Sequence, residues 1–429
     1  MTNYRKLLLG TALALGVQQA LAVPFSGVDP RSLAMGGTGV ASGSSANASF
    51  FNPALLAAPR FGEDFGSSLA GGAYLKDEDK LRTKLEDFQD NNNVDKFERL
   101  SSEFESLYNR AQAGGGVSSQ ELEDAKVRME EAGYQLLDDL ESLGGSPVDF
   151  GGYGGFTVAV PSKTYGVSFF AGARGYARTT LDTEAVDGNG QTDFDIVRAE
   201  LAKLDNPQDW GSVSNPFETR ELTSEGEISG AIVSEVGISL ATELASVGGI
   251  AVGVSPKMVR IDVIELVESV ETIDPENDHS LNSYTDFNID VGVVKDYGQG
   301  LKVGLTVRNL LSKDYEYGKL GRSIELEPQL RIGGSYDDDW FVLSADFDLT
   351  ENAPMGEFGA TQYFALGAEF DAFDIFQVRA GYRNNLADDG SNGDVFTFGL
   401  GLSYFVHFDI GAAISEDTAE VSAQFGLRW

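Results

Sequence analysis

The chain has 429 residues, 67 acidic and 31 basic, giving a formal net charge of −36, and it has no cysteine. That charge excludes a nucleic-acid binder, because phosphates are neutralised by Lys and Arg. The absence of thiols excludes disulfide staples, a thiol nucleophile, CxxC redox chemistry and c-type haem attachment.

The first residues read as an export address. Tyr4-Arg5-Lys6 is a basic start, Leu7 to Val17 is an apolar core, and Ala20-Leu21-Ala22 fits the small-x-small rule of a signal-peptidase site. Residues 1–22 are therefore expected to be a cleaved secretory signal. The apolar core is too short to span a bilayer, which takes roughly 20 residues, and no later segment is long enough either. What remains is a soluble exported protein or an outer-membrane barrel.

Residues 23–62 come next. From Arg31 to Ala57 they read RSLAMGGTGVASGSSANASFFNPALLA. This is too apolar for an ordinary linker and too rich in glycine for a good helix. Residues 76–143 then show helical periodicity. Phe97, Leu100, Phe104 and Leu107 share one face; after Gly114-Gly115-Gly116 and the cap Ser118-Ser119, so do Leu122, Ala125, Met129, Ala132, Leu136 and Leu140. The pattern predicts an antiparallel helical hairpin with charged outer faces.

From Phe150 onward the period is two, the mark of strands with one apolar face. Tyr165, Val167, Phe169 alternate with Gly166, Ser168, Phe170; Leu301, Val303, Leu305, Val307 alternate with Lys302, Gly304, Thr306, Arg308. Fourteen strands are predicted, near 65–75, 148–161, 163–181, 224–245, 247–267, 281–296, 299–313, 323–336, 339–351, 360–372, 374–385, 393–404, 405–415 and 418–429. Most reach the roughly 9–11 residues that a tilted strand needs to cross a bilayer. Short turns and longer links alternate until the last two connections, as the two ends of an outer-membrane barrel require. The last strand closes on Phe425 and Trp429, similar to the signal read by the outer-membrane barrel assembly machinery. Residues 63–429 are thus predicted to form an all-β, fourteen-stranded antiparallel transmembrane barrel. It would sit in the outer-membrane lipid of a Gram-negative bacterium, with the hairpin in its first extracellular loop.

Arg174, Arg178, Glu235, Lys302, Arg308, Arg331, Asp346, Asp348, Glu369, Arg379, Arg383 and Asp409 fall on the polar face of these strands. Charge on the lipid face is costly, so they are expected to point into the lumen. There they brace a plug or line a polar path for a solute. Fourteen strands about 4.8 Å apart, tilted ~40°, enclose a backbone diameter of ~28 Å, too wide for wall side chains to fill. The segment 23–62 has the composition to fold inward and close it.

Chemistry is sparse. His279 and His407 have no second ligand at metal spacing, and there is no nucleophile elbow, P-loop, HExxH or dinucleotide fingerprint. Neither enzymatic activity nor a cofactor is expected. Asp187, Asn189 and Asp193 place oxygens at alternate positions, as a calcium loop begins, but Arg198 stands where a bidentate Glu belongs. A cation site and a simple acidic turn both stay open.

The run Arg31-Ser32-Leu33-Ala34-Met35-Gly36-Gly37-Thr38-Gly39-Val40-Ala41, followed by Asn52-Pro53-Ala54, resembles the N-terminal signature of the FadL-like superfamily. That superfamily includes long-chain fatty-acid and aromatic-hydrocarbon channels and PorV-type proteins. Within it, the helical insertion, Asn52 to Ala57 and Val307-Arg308-Asn309-Leu310 look most like the exported family named TraF, after an F-plasmid transfer operon. The resemblance implies a fourteen-stranded barrel with an N-terminal plug shaped by Arg31, Gly36, Gly37, Asn52, Pro53 and Ala54, the last three leading into the first strand. It also implies passive uptake of small hydrophobic or amphipathic molecules. The alternative it carries is a conjugal-transfer or surface-assembly protein that docks a partner through the hairpin. No pattern in the chain speaks to its oligomeric state.

Overall fold

A computed structural model describes residues 29–428 except 60–63, 78, 82, 85, 86, 88–90, 146, 187–189, 215–222, 270–281, 318–321, 353–359, 374, 388–392 and 405. The expected signal 1–22, His279, Asp187, Asn189 and Trp429 lie outside the described residues.

Alternation produces the wall. Seven strands, β1 (Gly66–Lys76), β2 (Val148–Val160), β3 (Gly166–Asp182), β4 (Glu225–Leu244), β5 (Ile250–Ser269), β6 (Asn282–Asp296) and β7 (Leu301–Arg308), form the first half. The second half is β8 (Gln329–Asp337), β9 (Phe341–Asp348), β10 (Tyr363–Ala372), β11 (Phe376–Asn385), β12 (Asp394–Ser403), β13 (His407–Ile414) and β14 (Thr418–Arg428). Each pairs antiparallel with the next, and β14 closes on β1 from Gly66↔Arg428 to Lys76↔Thr418. Closure leaves no open edge, which lipid demands because it offers backbone groups no partner.

The outward register is a belt of exposed apolar side chains, with Leu69 60%, Phe398 55% and Phe425 53% accessible. The inward register, such as Ser68, Ser168, Thr306 and Thr397, is buried and polar. No described helix is long and apolar enough to cross a membrane.

The wall departs from the sequence reading in one place. The predicted strands 299–313 and 323–336 are each too long. Asn309 adopts φ 54°, which ends β7, and Lys313–Tyr317 then pairs with Arg322–Leu326 as a separate two-stranded hairpin. Tyr315, Ile324 and Leu326 pack with the inward-facing Val233, Val259, Ile261 and Val263, so the hairpin folds back over the lumen. Period two looks the same in a wall strand and in a loop hairpin, which is why alternation alone merges them.

At the loop end, helices α3 (Asn93–Gln112) and α4 (Ser119–Leu143) form the hairpin between β1 and β2. A further helix, α5 (Asp193–Leu204), joins them from the β3–β4 loop. Phe194, Val197, Leu201 and Leu204 share one core with Phe97, Phe104, Met129 and Leu136. The sequence reading predicts no helix between the strands 163–181 and 224–245. It passed over the capping box Thr192/Asp195 and the apolar spacing that starts α5.

At the turn end, residues 29–58 lie inside the barrel. They comprise α1 (Pro30–Ala34), a 3₁₀ turn at Ser45–Asn47, α2 (Ala48–Phe51) and a second 3₁₀ turn at Pro53–Ala57.

Candidate functional site

The site is the lumen where the N-terminal segment crosses it. α1 lies against β11 to β14 and β1, while Pro53–Ala57 lies against β3 to β6 on the opposite arc. Between them the chain touches β2 through Ser45–Asn47, β7 through Asn52, β8 and β9 through residues 37–41, and β10 through Arg31. Contact with all fourteen strands makes this segment a floor rather than a tether.

Hydrogen bonds aimed from the wall hold it. Arg31 Nε and Nη2 donate to the two Glu369 oxygens at 2.8 and 3.1 Å, and Nη1 donates to the Ser42 carbonyl at 2.7 Å. Asp346 accepts from the backbone N–H of Gly39 and Val40 at 2.8 and 3.0 Å. Thr397 accepts from Gly36 N–H and donates to the Ala34 carbonyl, both at 2.9 Å. Lys302 Nζ reaches the Ala58 carbonyl at 3.1 Å. Gly36 takes φ 74°, and a Cβ there would overlap the Tyr382 and Leu366 carbonyls; the facing Gly381 would overlap Gly36 N in turn. Backbone meets backbone, which only paired glycines permit.

Asn52-Pro53-Ala54 does not lead into the first strand. Asn52 is fully buried; its Nδ2 donates to the Val40 carbonyl at 3.0 Å and to the wall carbonyls of Val293 and Leu305 at 3.2 and 3.4 Å. Its Oδ1 caps the turn by accepting from Ala54 N–H at 3.1 Å. Pro53 and Ala54 fit over Gly253, where a Cβ would overlap them. Local Asn-Pro grammar is the same for a turn inside a barrel as for one before a strand, so the sequence misplaces it.

The charged residues singled out in the sequence sort into clusters. Arg379 joins Glu369 at 2.6 Å and Asp409 at 2.5 Å, so Glu369 serves Arg31 and Arg379 together. Arg331 pairs with Asp348 through a second contact at 2.8 Å and reaches the Gly37 carbonyl at 3.4 Å. Arg308 meets Glu235 at 3.0 Å. Arg178 pairs with Asp149 at 2.6 Å, and Arg383 with Glu420 at 3.3 Å. Arg174 is buried beside Glu235, Arg308 and Asp290. Lys257, Asp290, Asp149 and Glu420 belong to these clusters and escaped the sequence reading. Their own strands alternate, so the same register argument finds them.

Of the cation candidates only Asp193 lies among the described residues, and its carboxylate is engaged within the loop. Its carboxylate accepts from Thr223 N–H at 3.0 Å, Ser224 N–H at 2.9 Å and the Ser224 hydroxyl at 2.5 Å, which ties the loop shut. Among the described residues, no group of three His, Asp or Glu could hold a metal ion. Phe425 sits in the lipid belt opposite Leu69 and Phe408.

A sequence profile of the family described as "F plasmid transfer operon, TraF, protein" matches residues 49–348. The chain belongs to that family. Among solved structures, this TraF-family barrel is similar to the "CymD monoaromatic hydrocarbon channel" at TM-score 0.54 and 11% identity, covering 95% of this chain and 99% of that one. It is similar to the Ralstonia pickettii toluene transporter TbuX at TM-score 0.52 and 12% identity, covering 94% and 99%. It is also similar to a TodX deltaS2S3 mutant monoaromatic hydrocarbon channel at TM-score 0.51 and 10% identity, covering 94% and 98%. These likenesses establish a shared fold, a closed antiparallel β-barrel. A search of curated proteins finds no match. Neither the family description nor these structures names an enzyme.

Proposed function

We propose that this TraF-family barrel is a plugged outer-membrane channel for passive passage of small hydrophobic or amphipathic molecules. The observation that carries the reading is the floor itself. A buried segment crosses the lumen, touches every strand and is held in place by directed hydrogen bonds. The similar hydrocarbon channels support the class of solute. Removing residues 23–60 and measuring conductance in planar bilayers tests it: conductance should rise, and an unchanged conductance would sink the reading.

A second reading draws on the family description and on the three-helix cap, which has its own apolar core. There the cap docks a partner during conjugal transfer or surface assembly. Deleting 77–143 would then abolish mating while leaving solute passage intact.

A further inference from the structure

Arg174 lies on β3 in the inward register, 6% exposed, and its Nε and Nη2 meet no hydrogen-bond partner among the described residues. The carboxylates beside it are already engaged. Glu235 accepts from Lys257 at 2.7 Å and from Arg308 at 3.0 Å; Asp290 pairs with Lys257 at 2.9 Å and accepts from Asn309 N–H at 2.8 Å. Among the described residues, three cations here share two carboxylates, leaving one positive charge over. A guanidinium cannot shed its proton to relieve this, and a buried uncompensated charge is expensive.

The surroundings are aromatic. Tyr153 stands directly opposite Arg174 in the β2–β3 ladder, and Tyr176 lies two residues further on the same face. The Tyr153 ring lies across Gly72 and the Tyr74 ring across Gly151, where added Cβ atoms would meet them. Tyr74 and Tyr176 meet edge to face at 5.4 Å. From the far wall, Arg383 lies over the Tyr363 ring at 5.1 Å. All four tyrosines face inward and are half-buried, which puts their rings on the inner face of the wall. Phe50 of the floor and Phe170 of β3 meet at 5.6 Å, and Tyr153 packs on that group.

From this geometry we infer that the lumen immediately outward of the plug binds an aromatic carboxylate. Arg174 takes the carboxylate through its unpartnered N–H groups, and the tyrosine rings take the aromatic body. One surplus positive charge suits a monoanion, and the planar fork of arginine suits a carboxylate's two oxygens. Ring faces favour a flat aromatic over an alkyl chain of equal size. The inference rests on the channel reading and narrows its solute.

The test is calorimetric titration of the full chain in detergent with benzoate, hexanoate and toluene. Benzoate should bind, and hexanoate should bind severalfold more weakly. Arg174→Gln should weaken benzoate roughly tenfold to a hundredfold, and Arg174→Lys, which keeps the charge and loses the fork, should fall between. Tyr176→Leu should weaken benzoate severalfold. No benzoate binding by the unaltered chain, equal binding of hexanoate, or an unaltered affinity in the lysine and glutamine variants would each overturn the site. If the glutamine variant does not fold, the lysine variant and the benzoate-to-hexanoate ratio still decide. Toluene flux into proteoliposomes separates the two claims. Flux without benzoate binding overturns the site alone; benzoate binding without flux of any probe overturns the channel alone.

Discussion

The floor of the barrel and the helical cap above its mouth are built on opposite principles. The cap is a conventional core in which Phe97, Phe104, Met129, Leu136 and Leu201 meet as apolar stripes. The floor packs some apolar surface, such as Leu55, Leu56 and Ala54, but its position is set by charges and backbone donors: Glu369 on Arg31, Asp346 on Gly39 and Val40, Thr397 on Gly36. Apolar packing is non-directional and tolerates sliding, whereas each of these bonds has one geometry. A segment that is to be seated in one pose is better held by such bonds.

The largest effect that would sharpen this contrast is Glu369→Ala. It strips two buried guanidiniums, Arg31 and Arg379, of a shared partner. About 3–5 kcal/mol of stability should go, read as a lower urea midpoint, and open-channel conductance should rise with it. A loss of stability with the floor still shut would break the idea that these bonds seat it.

Next is Leu201→Ala, which should cost about 2–4 kcal/mol, confined to the cap. Hydrogen exchange should quicken in α3 and α4 as well as α5, while the barrel's melting is unchanged. Faster exchange in α5 alone would mean that the three helices do not form one unit.

The smallest effect is at the start of α4. Ser118 and Glu121 form a reciprocal cap, with Ser118 N–H donating to Glu121 at 2.7 Å and Glu121 N–H to Ser118 Oγ at 3.1 Å. Ser118→Ala should weaken the first turn by about 1 kcal/mol, seen in local amide exchange. The hydrogen bonds from the Ser118 backbone N–H and, next, from its hydroxyl hold the Glu121 carboxyl below its ordinary value. A lowered value in the folded state means that the stabilisation is present above the ordinary carboxylate range and is lost as pH falls through the lowered one. Exchange at this turn should therefore quicken in acid, and the acid dependence should shrink in the Ser118→Ala chain.

The same contrast explains what the sequence makes legible. Stripes and alternation are local patterns, so the strands, α3 and α4 can be read from residues close in the chain. The Thr192/Asp195 cap with Phe194, Val197 and Leu201 carries the same kind of signal for α5, lost among acidic neighbours. Alternation also places Arg379 or Asp346 on the inner face. It cannot say that Arg379 meets Glu369 and Asp409, or that Asp346 holds Gly39, because those partners are set by barrel register and by contacts across 306 or more residues. Asn52 shows the limit most clearly: its local grammar is right for a turn, and its location comes only from wall carbonyls in β6 and β7.

The chain's lack of cysteine allows a direct test of the central claim, that the floor must shift for solute to pass. Thr38 Oγ1 and the wall residue Ser344 Oγ lie 2.6 Å apart, so Thr38→Cys with Ser344→Cys places two thiols where a disulfide can join floor to wall. Flux of a small aromatic probe into proteoliposomes should fall on oxidation and return on reduction. Equal flux in the oxidised and reduced states would contradict the account.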